Sequence, residues 1–325
     1  MKIKYIFSIV LLVCLSFTSL TGFAQNKKGN ALNFRFATRA EAQMLITDID
    51  NFSNGLNQFD IDLRLKKQNS RKSEWLRLSM NEAKNWGEDE KAKITNAFKV
   101  VKKNIHALKL DLSYPKEIVL LKTTMKEELD MVAYTRKNWI AVGENFLKSA
   151  TDEQLQYMIS HELFHILTRH SADFKQKAYA VIGFQVVDHE IILPTDVIAK
   201  RISNPDIERR DSYVELNIED VPTKCVQVMY TEKPYTGGTM YDYLNVGFIP
   251  LNEDLIPVMR DGQTVIHPIS MVAEEFTKKV GTNTDYTVDP EEILADNFSY
   301  LLTKKQGLTN PEIIANLKQT FSGKK

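Results

Sequence analysis

Two histidines with a glutamate between them stand at His161-Glu162-Leu163-Phe164-His165. On a helix, side chains four residues apart share a face, one turn above each other. Two imidazoles so placed can reach one divalent cation from the same side. Zinc takes histidine nitrogen at roughly 2.0–2.1 Å in tetrahedral geometry, and a catalytic site keeps one position for water. Glu162, one residue past the first histidine, is turned beside such a metal, where it can accept a proton from activated water. His161 and His165 are therefore candidate metal ligands and Glu162 a candidate general base. The motif alone is a modest signal, because a helical histidine pair also occurs as a hydrogen-bonded core feature. A third ligand must come from elsewhere in the chain.

The elements that must position these groups are legible. Thr151-Asp152-Glu153-Gln154 has the form of a capping box with acids in the first turn. Leu155, Met158, Ile159, Leu163, Ile166 and Leu167 follow with a period of 3.6 rather than alternation. The pattern predicts a helix from about Asp152 to about Arg169, with Arg169 and His170 suiting its C-terminal dipole.

The strongest companion segment is Asp289-Pro-Glu-Glu-Ile-Leu-Ala-Asp-Asn-Phe298. Asp289 suits an N-cap and Pro290 a first helical position. Glu292 and Asp296 lie four apart and share a face, and Ala295 lets a second helix approach. Ile293, Leu294, Phe298, Leu301 and Leu302 bury one side, and a carboxylate on a partly buried helix needs a partner. Zinc would supply one for Glu292, and Asp296 could accept the free N–H of a ligating histidine. A purely structural reading also exists: Glu292 falls at N3, where a capping carboxylate belongs, and the dipole alone accounts for Glu291. Glu291 is the fallback ligand, although it points away from the Asp296 face.

The rest of the chain sets limits. Of 325 residues, 43% are hydrophobic and 26% charged, a globular composition long enough for one large or two smaller domains. With 42 basic and 42 acidic residues there is no basic excess to suggest nucleic acid. Lys2 and Lys4, the apolar run Ile6 to Leu15, and Gly22-Phe23-Ala24 before Gln25 read as a secretory signal over residues 1–24, cut near Ala24. Val13 before Cys14 argues against a lipoprotein signal. The mature chain would carry about two net negative charges, and it contains no other apolar run long enough to span a bilayer. Cys225 is then alone, and its strand-like surroundings suggest a buried thiol.

Helical patterns run from Arg39 to about Lys67, Ser73 to Trp86 and Glu88 to Leu110, with residues 25 to about 37 read as loose. Strand-like pieces follow at 117–123, 131–135 and 138–142. Beyond Gly183, seven prolines punctuate short β-like runs until helical pattern returns at 270–280, 290–304 and 311–321. The division expected is 25–182, carrying a helical region, a sheet and the motif helix, and 183–325, carrying the third ligand.

With both motifs in hand, the chain resembles the gluzincin zinc peptidases, whose pattern is H-E-x-x-H followed by E-x-x-x-D. It is most similar to the group of the CAAX prenyl endopeptidases and HtpX-like proteins, where the second motif reads E-x-x-A-D, as in Glu292-Ile-Leu-Ala-Asp296. The approach through Ala133–Val142 and Glu153–His161 is also similar. The likeness covers about 40 residues through the motif helix and about ten near 290, and leaves 25–115 and most of 183–285 unmatched. The 126 residues between His165 and Glu292 are more than most gluzincins carry, and membrane spans are missing. A metzincin pattern fails, with Thr168 at its glycine position and Ser171 at its third histidine.

The resemblance implies an α+β, zincin-like fold: an N-terminal helical region, a small mixed sheet with an edge strand, the motif helix, and a mixed α/β C-terminal part. It implies one Zn2+ held by His161, His165 and Glu292, with Glu162 as base and Asp296 orienting a ligand. By analogy the strand around Trp139–Val142 would pair with an extended peptide. His267 and Tyr286 are candidates to steady the oxyanion. The function expected is an exported zinc metallopeptidase acting on a peptide or protein substrate. A non-enzymatic zinc-stabilised binding module and a hydrolase of another amide or ester remain as alternatives. Tyr230, Tyr235, Tyr241 and Tyr243 read as core or loop residues before pocket residues.

Overall fold

The structure, a computed structural model, describes residues 31–323; the signal read at residues 1–24 lies outside them. The chain begins with strand β1 (Phe34–Phe36) and helices α1 (Arg39–Ile46), α2 (Asn51–Gly55), α3 (Gln58–Leu65) and α4 (Lys72–Glu82). Strand β2 (Ala83–Lys84), the long α5 (Glu88–Leu108), β3 (Ile118–Thr123), β4 (Ala133–Arg136) and β5 (Trp139–Gly143) follow. Then come α6 (Glu144–Ser149), α7 (Asp152–His170), α8 (Ala172–Val181), β6 (Phe184–Val186) and α9 (Thr195–Ile198). The C-terminal part contains β7 (Ser212–Ile218), β8 (Val221–Tyr230), β9 (Asn245–Pro250), β10 (Met259–Arg260), β11 (Gln263–Thr264) and β12 (His267–Pro268). It ends with α10 (Ile269–Val280), α11 (Pro290–Thr303) and α12 (Pro311–Phe321). The fold class is α+β.

The first sheet is mixed, in the order β1-β3-β5-β4, with β2 added antiparallel to β3. β3 is parallel to both β1 and β5, and β4 runs antiparallel to β5. This corrects one expectation. The strand at Trp139–Val142 is interior, paired on both sides, so it has no free edge for a peptide. The edge belongs to β4, its hairpin neighbour, because β5 is paired with β3 on one side and with β4 on the other. A second correction concerns residues 34–36, read as loose. They form β1, held because Phe34 stacks on Phe98 at 4.1 Å and Phe36 packs edge-on against Trp86 at 4.9 Å. Three residues are too short a run for a periodic signal. The second sheet is antiparallel throughout, β12-β9-β8-β7-β6, with Cys225 buried in β8 and its thiol pushed up to about 12 by burial.

The helix α7 starts where the capping box placed it, with Thr151 Oγ1 accepting from Gln154 N (3.3 Å) and Gln154 Oε1 accepting from Thr151 N (2.9 Å). On α11, Asp289 caps Glu291 N at 3.0 Å and Pro290 occupies the first turn. Thirteen residues of α11, Pro290 to Leu302, are buried, so this helix is central rather than half-covered. It lies along α7, where the fully buried Ala295 permits close approach and Ser299 Oγ donates to Tyr157 O across the gap (3.3 Å). Phe164, Phe174, Phe298 and Phe321 join α7, α8, α11 and α12 in one core that draws on residues from both sides of position 182. Burying a side chain of this size contributes roughly 1.5–3 kcal/mol. The α7–α11 pair is thus locked before any polar group on it is considered. Among the described residues, no helix is long and apolar enough to cross a membrane.

Candidate metal centre

The lock between α7 and α11 brings the two sequence motifs together. His161 Nε2 lies 3.0 Å from Glu292 Oε2, and His165 Nε2 lies 3.7 Å from the same oxygen. His161, His165 and Glu292 form a group whose ligand atoms can hold one metal ion. His165 and Glu292 are buried, and the His161 side chain retains 15% exposure, so the group opens to solvent on the His161 side. His165 Nε2 is a buried polar atom with no hydrogen-bond partner. An orphaned imidazole nitrogen in a dry site costs free energy unless something binds it. Two imidazole nitrogens and a carboxylate oxygen suit a divalent cation, so the donor set fits a metal ion.

The outer nitrogens are fixed as well. His161 Nδ1 meets Asp296 Oδ1 at 3.0 Å, the orienting contact expected of Asp296. Thr284 Oγ1 and Tyr157 OH donate to the same carboxylate. His165 Nδ1 meets Glu291 Oε1 at 3.0 Å, and Tyr179 OH and Thr168 Oγ1 also donate to Glu291 (both 2.5 Å). Glu291 is therefore an orienting group for His165 and not a spare helix-terminal charge. Because the two histidines sit one turn apart, each can use a different face of α11. Each ring is oriented with Nε2 turned inward.

These contacts set the charge states. Burial works against a charged His161 ring, but Asp296 and Glu292 outweigh it and raise its pKa well above the ordinary value. His165 is raised too, by Asp206 and Glu291 against burial. Burial pushes the Glu291 and Asp296 carboxyls up, yet their histidine partners hold both below the usual range.

Glu162 is buried, and Thr135 Oγ1 on the edge strand donates to its Oε2 at 2.7 Å. A second group, Glu162, His165 and Asp206, has the same metal-holding spacing. Both groups use His165, whose Nδ1 is taken by Glu291. Only Nε2 remains, so the two describe surroundings of one ion rather than two sites. Asp206, unnoticed in the sequence, accepts from Thr135 N at 2.6 Å, and burial followed by the Glu162 charge raises its pKa well above the usual value. Asn204, two residues earlier, donates its amide to Glu292 Oε1. Neither residue sits in a motif, and both reach the site from an irregular segment whose path no periodicity foretells.

A cleft of about 1220 Å³ opens beside His161, Glu162, Asp206 and Glu292. Ala133 of β4 lines it. Thr135 turns its N–H toward Asp206 and its carbonyl toward Arg169, away from β5. By pleat alternation Ala133 presents its N–H and C=O to the cleft in the same sense. Tyr286 lines the cleft, and burial with the Glu292 charge raises its phenol well above the usual value, so it stays a proton donor. His267 is not among the lining residues; it sits on β12 opposite Phe248, across the second sheet. Of the four tyrosines, Tyr230, Tyr235 and Tyr243 are buried in small clusters, and Tyr241, 80% exposed, stands at the cleft.

Compared with known proteins, the chain matches no family model, no curated protein and no solved structure.

Proposed function

We propose that the chain is a zinc-dependent peptidase of gluzincin type, with a zincin-like arrangement of edge strand and motif helix, exported by the signal read at residues 1–24. The observation that carries the reading is the convergence of His161 Nε2, the partnerless His165 Nε2 and Glu292 Oε2, with Glu162 beside them at a cleft wall. His161, His165 and Glu292 would hold the ion. When bound, zinc supplies a Lewis acid that acidifies water and polarises a carbonyl.

The chain's own groups supply the rest. Glu162 accepts the proton of the attacking water and returns it to the leaving amine. Thr135 holds one Glu162 oxygen, leaving the other to face the cleft. An extended peptide pairs with the free edge of β4 at Ala133, which fixes the scissile bond over the base. Tyr286, kept protonated, donates to the developing oxyanion. A buried general base has no task in a purely structural metal site, which favours hydrolysis over a binding module.

Glu162→Gln separates these readings. The variant is expected to keep one zinc per chain by elemental analysis while casein cleavage falls about 10²–10⁴-fold. Chelation should abolish wild-type cleavage and added zinc restore it. Full activity in Glu162→Gln removes Glu162 from the reaction. Stoichiometric zinc with no cleavage of any unfolded protein leaves the binding module.

A further inference from the structure

The N-terminal helical region has no place in the two-part motif, yet one of its helices reaches the metal centre. We propose that Asp60 and Arg64 of α3 are positioning residues for Glu292, acting through Ser203 and Asn204. The inference rests on the metal reading above and assigns a task to α3.

All three polar groups of Ser203 are held by these two side chains. Asp60 Oδ1 accepts from Ser203 N at 2.8 Å, and Asp60 Oδ2 accepts from Ser203 Oγ at 2.7 Å. Arg64 Nη2 donates to Ser203 O at 2.8 Å. Asp60 and Arg64 are almost completely buried, at 0% and 2% exposure, and Arg64 Nε is anchored on Glu128 Oε2 at 2.8 Å. Asp60 also closes the capping box of α3, with Asn57 N donating to Oδ2 at 3.2 Å and Asp60 N donating to Asn57 Oδ1 at 2.8 Å. Ser203 is therefore fixed to a rigid helix turn.

The next residue inherits that placement. Asn204 Oδ1 accepts from Asp206 N at 2.9 Å, which settles the amide orientation and sends Nδ2 to Glu292 Oε1. A donor on Oε1 commits Glu292 to offer Oε2 alone to His161 and His165. Released from that donor, the carboxylate can rotate about its terminal torsion, which is broad. The same segment ends at Asp206, whose carboxylate holds Thr135 N, and Thr135 holds Glu162. A ligand and the base are thus referenced to one stretch of four residues, and that stretch is referenced to α3.

The test is zinc affinity, measured by competition with a chromophoric chelator on the full-length mature chain. Asn204→Ala should weaken zinc by about 10–100-fold, the usual effect of removing a partner that orients a ligand. Asp60→Asn should weaken it several-fold in the same direction. The double variant should match Asn204→Ala alone within about twofold, because the remote change acts through the same amide. Ser203→Ala removes the single hydroxyl bond to Asp60 and should fold even where Asp60→Asn does not. It too should weaken zinc. Wild-type affinity in folded Asp60→Asn, or in Ser203→Ala, overturns the positioning role; so does a double variant whose loss is the product of the two single losses. A wild-type chain that binds no zinc overturns the metal reading itself, so the two failures are distinct.

Discussion

Two clusters of buried charge meet at the segment Ser203–Asp206, and they are built on opposite plans. Around Arg64, each charge faces its opposite: the guanidinium lies 2.8 Å from Glu128 and 3.5 Å from Asp60, and it also donates to Asp60 O and Ser203 O. Around His165, the carboxylates of Glu162, Asp206, Glu291 and Glu292 surround the imidazoles, while the nearby Arg169 donates to carbonyl oxygens. His165 Nε2 has no hydrogen-bond partner. The first cluster is complete in the chain itself. The second buries negative charge against an unmet nitrogen, an arrangement that a divalent cation would complete. Burial alone is thus a poor guide to function; burial with an unmet acceptor is a better one.

The sharpest way to break this contrast is to unpair the first cluster. Arg64→Met leaves Glu128 and Asp60 buried without their cation, and removal of one partner of such a pair costs about 3–5 kcal/mol. Urea denaturation of the zinc-free protein should show that loss at neutral pH. A loss below about 1 kcal/mol would mean that water enters the cluster and that the two plans are less different than they look. The second cluster should respond to metal instead. Zinc at a free concentration about 100 times its dissociation constant should raise wild-type stability by roughly 2.7 kcal/mol. No shift in the denaturation midpoint would contradict the incomplete plan.

Within the second cluster the orienting carboxylates can be graded. Glu291→Gln keeps the shape and removes the charge facing His165 Nδ1, and should weaken zinc about 10–100-fold by chelator competition. An unchanged affinity would return Glu291 to the helix-terminal role its position in the first turn suggested.

That residue also marks where the sequence stops being legible. Helix α7, its capping box, the partner helix α11 and the face that Glu292 and Asp296 share on it all follow from local period and spacing. They are short-range facts, and the two helices meet on the faces their apolar stripes define. A first-turn carboxylate such as Glu291 has a sufficient local explanation, and only the one-turn offset of His165 gives it a second task. Asn204 and Asp206 carry no local signal: they are placed by Asp60, 143 positions from Ser203 in sequence. The edge strand was displaced by one hairpin strand because β4 and β5 are both buried along their length, so burial does not say which of them lies outside.

A pH-dependent effect concerns Glu127, next to Glu128 but outside its ion pair. Its Oε2 is buried without a hydrogen-bond partner, Tyr134 OH lies 3.4 Å from its Oε1, and burial, against a hydrogen bond from Thr123, raises its pKa to about 7. The unfolded carboxyl titrates near its ordinary value of 4.5. Between these two pH values the folded chain binds the proton and the unfolded chain has released it. Stability must therefore fall as pH rises through this window, with a slope of up to about 1.4 kcal/mol per pH unit. Glu127→Gln removes the titration, so wild type and variant should differ little near pH 4.5 and diverge toward pH 7, the variant becoming the more stable. Urea midpoints at pH 5, 6 and 7 would show it. Parallel curves would mean that Glu127 is ionised in the fold and that an unpaired buried carboxylate is tolerated here without a cation, which would weaken the inference drawn from His165.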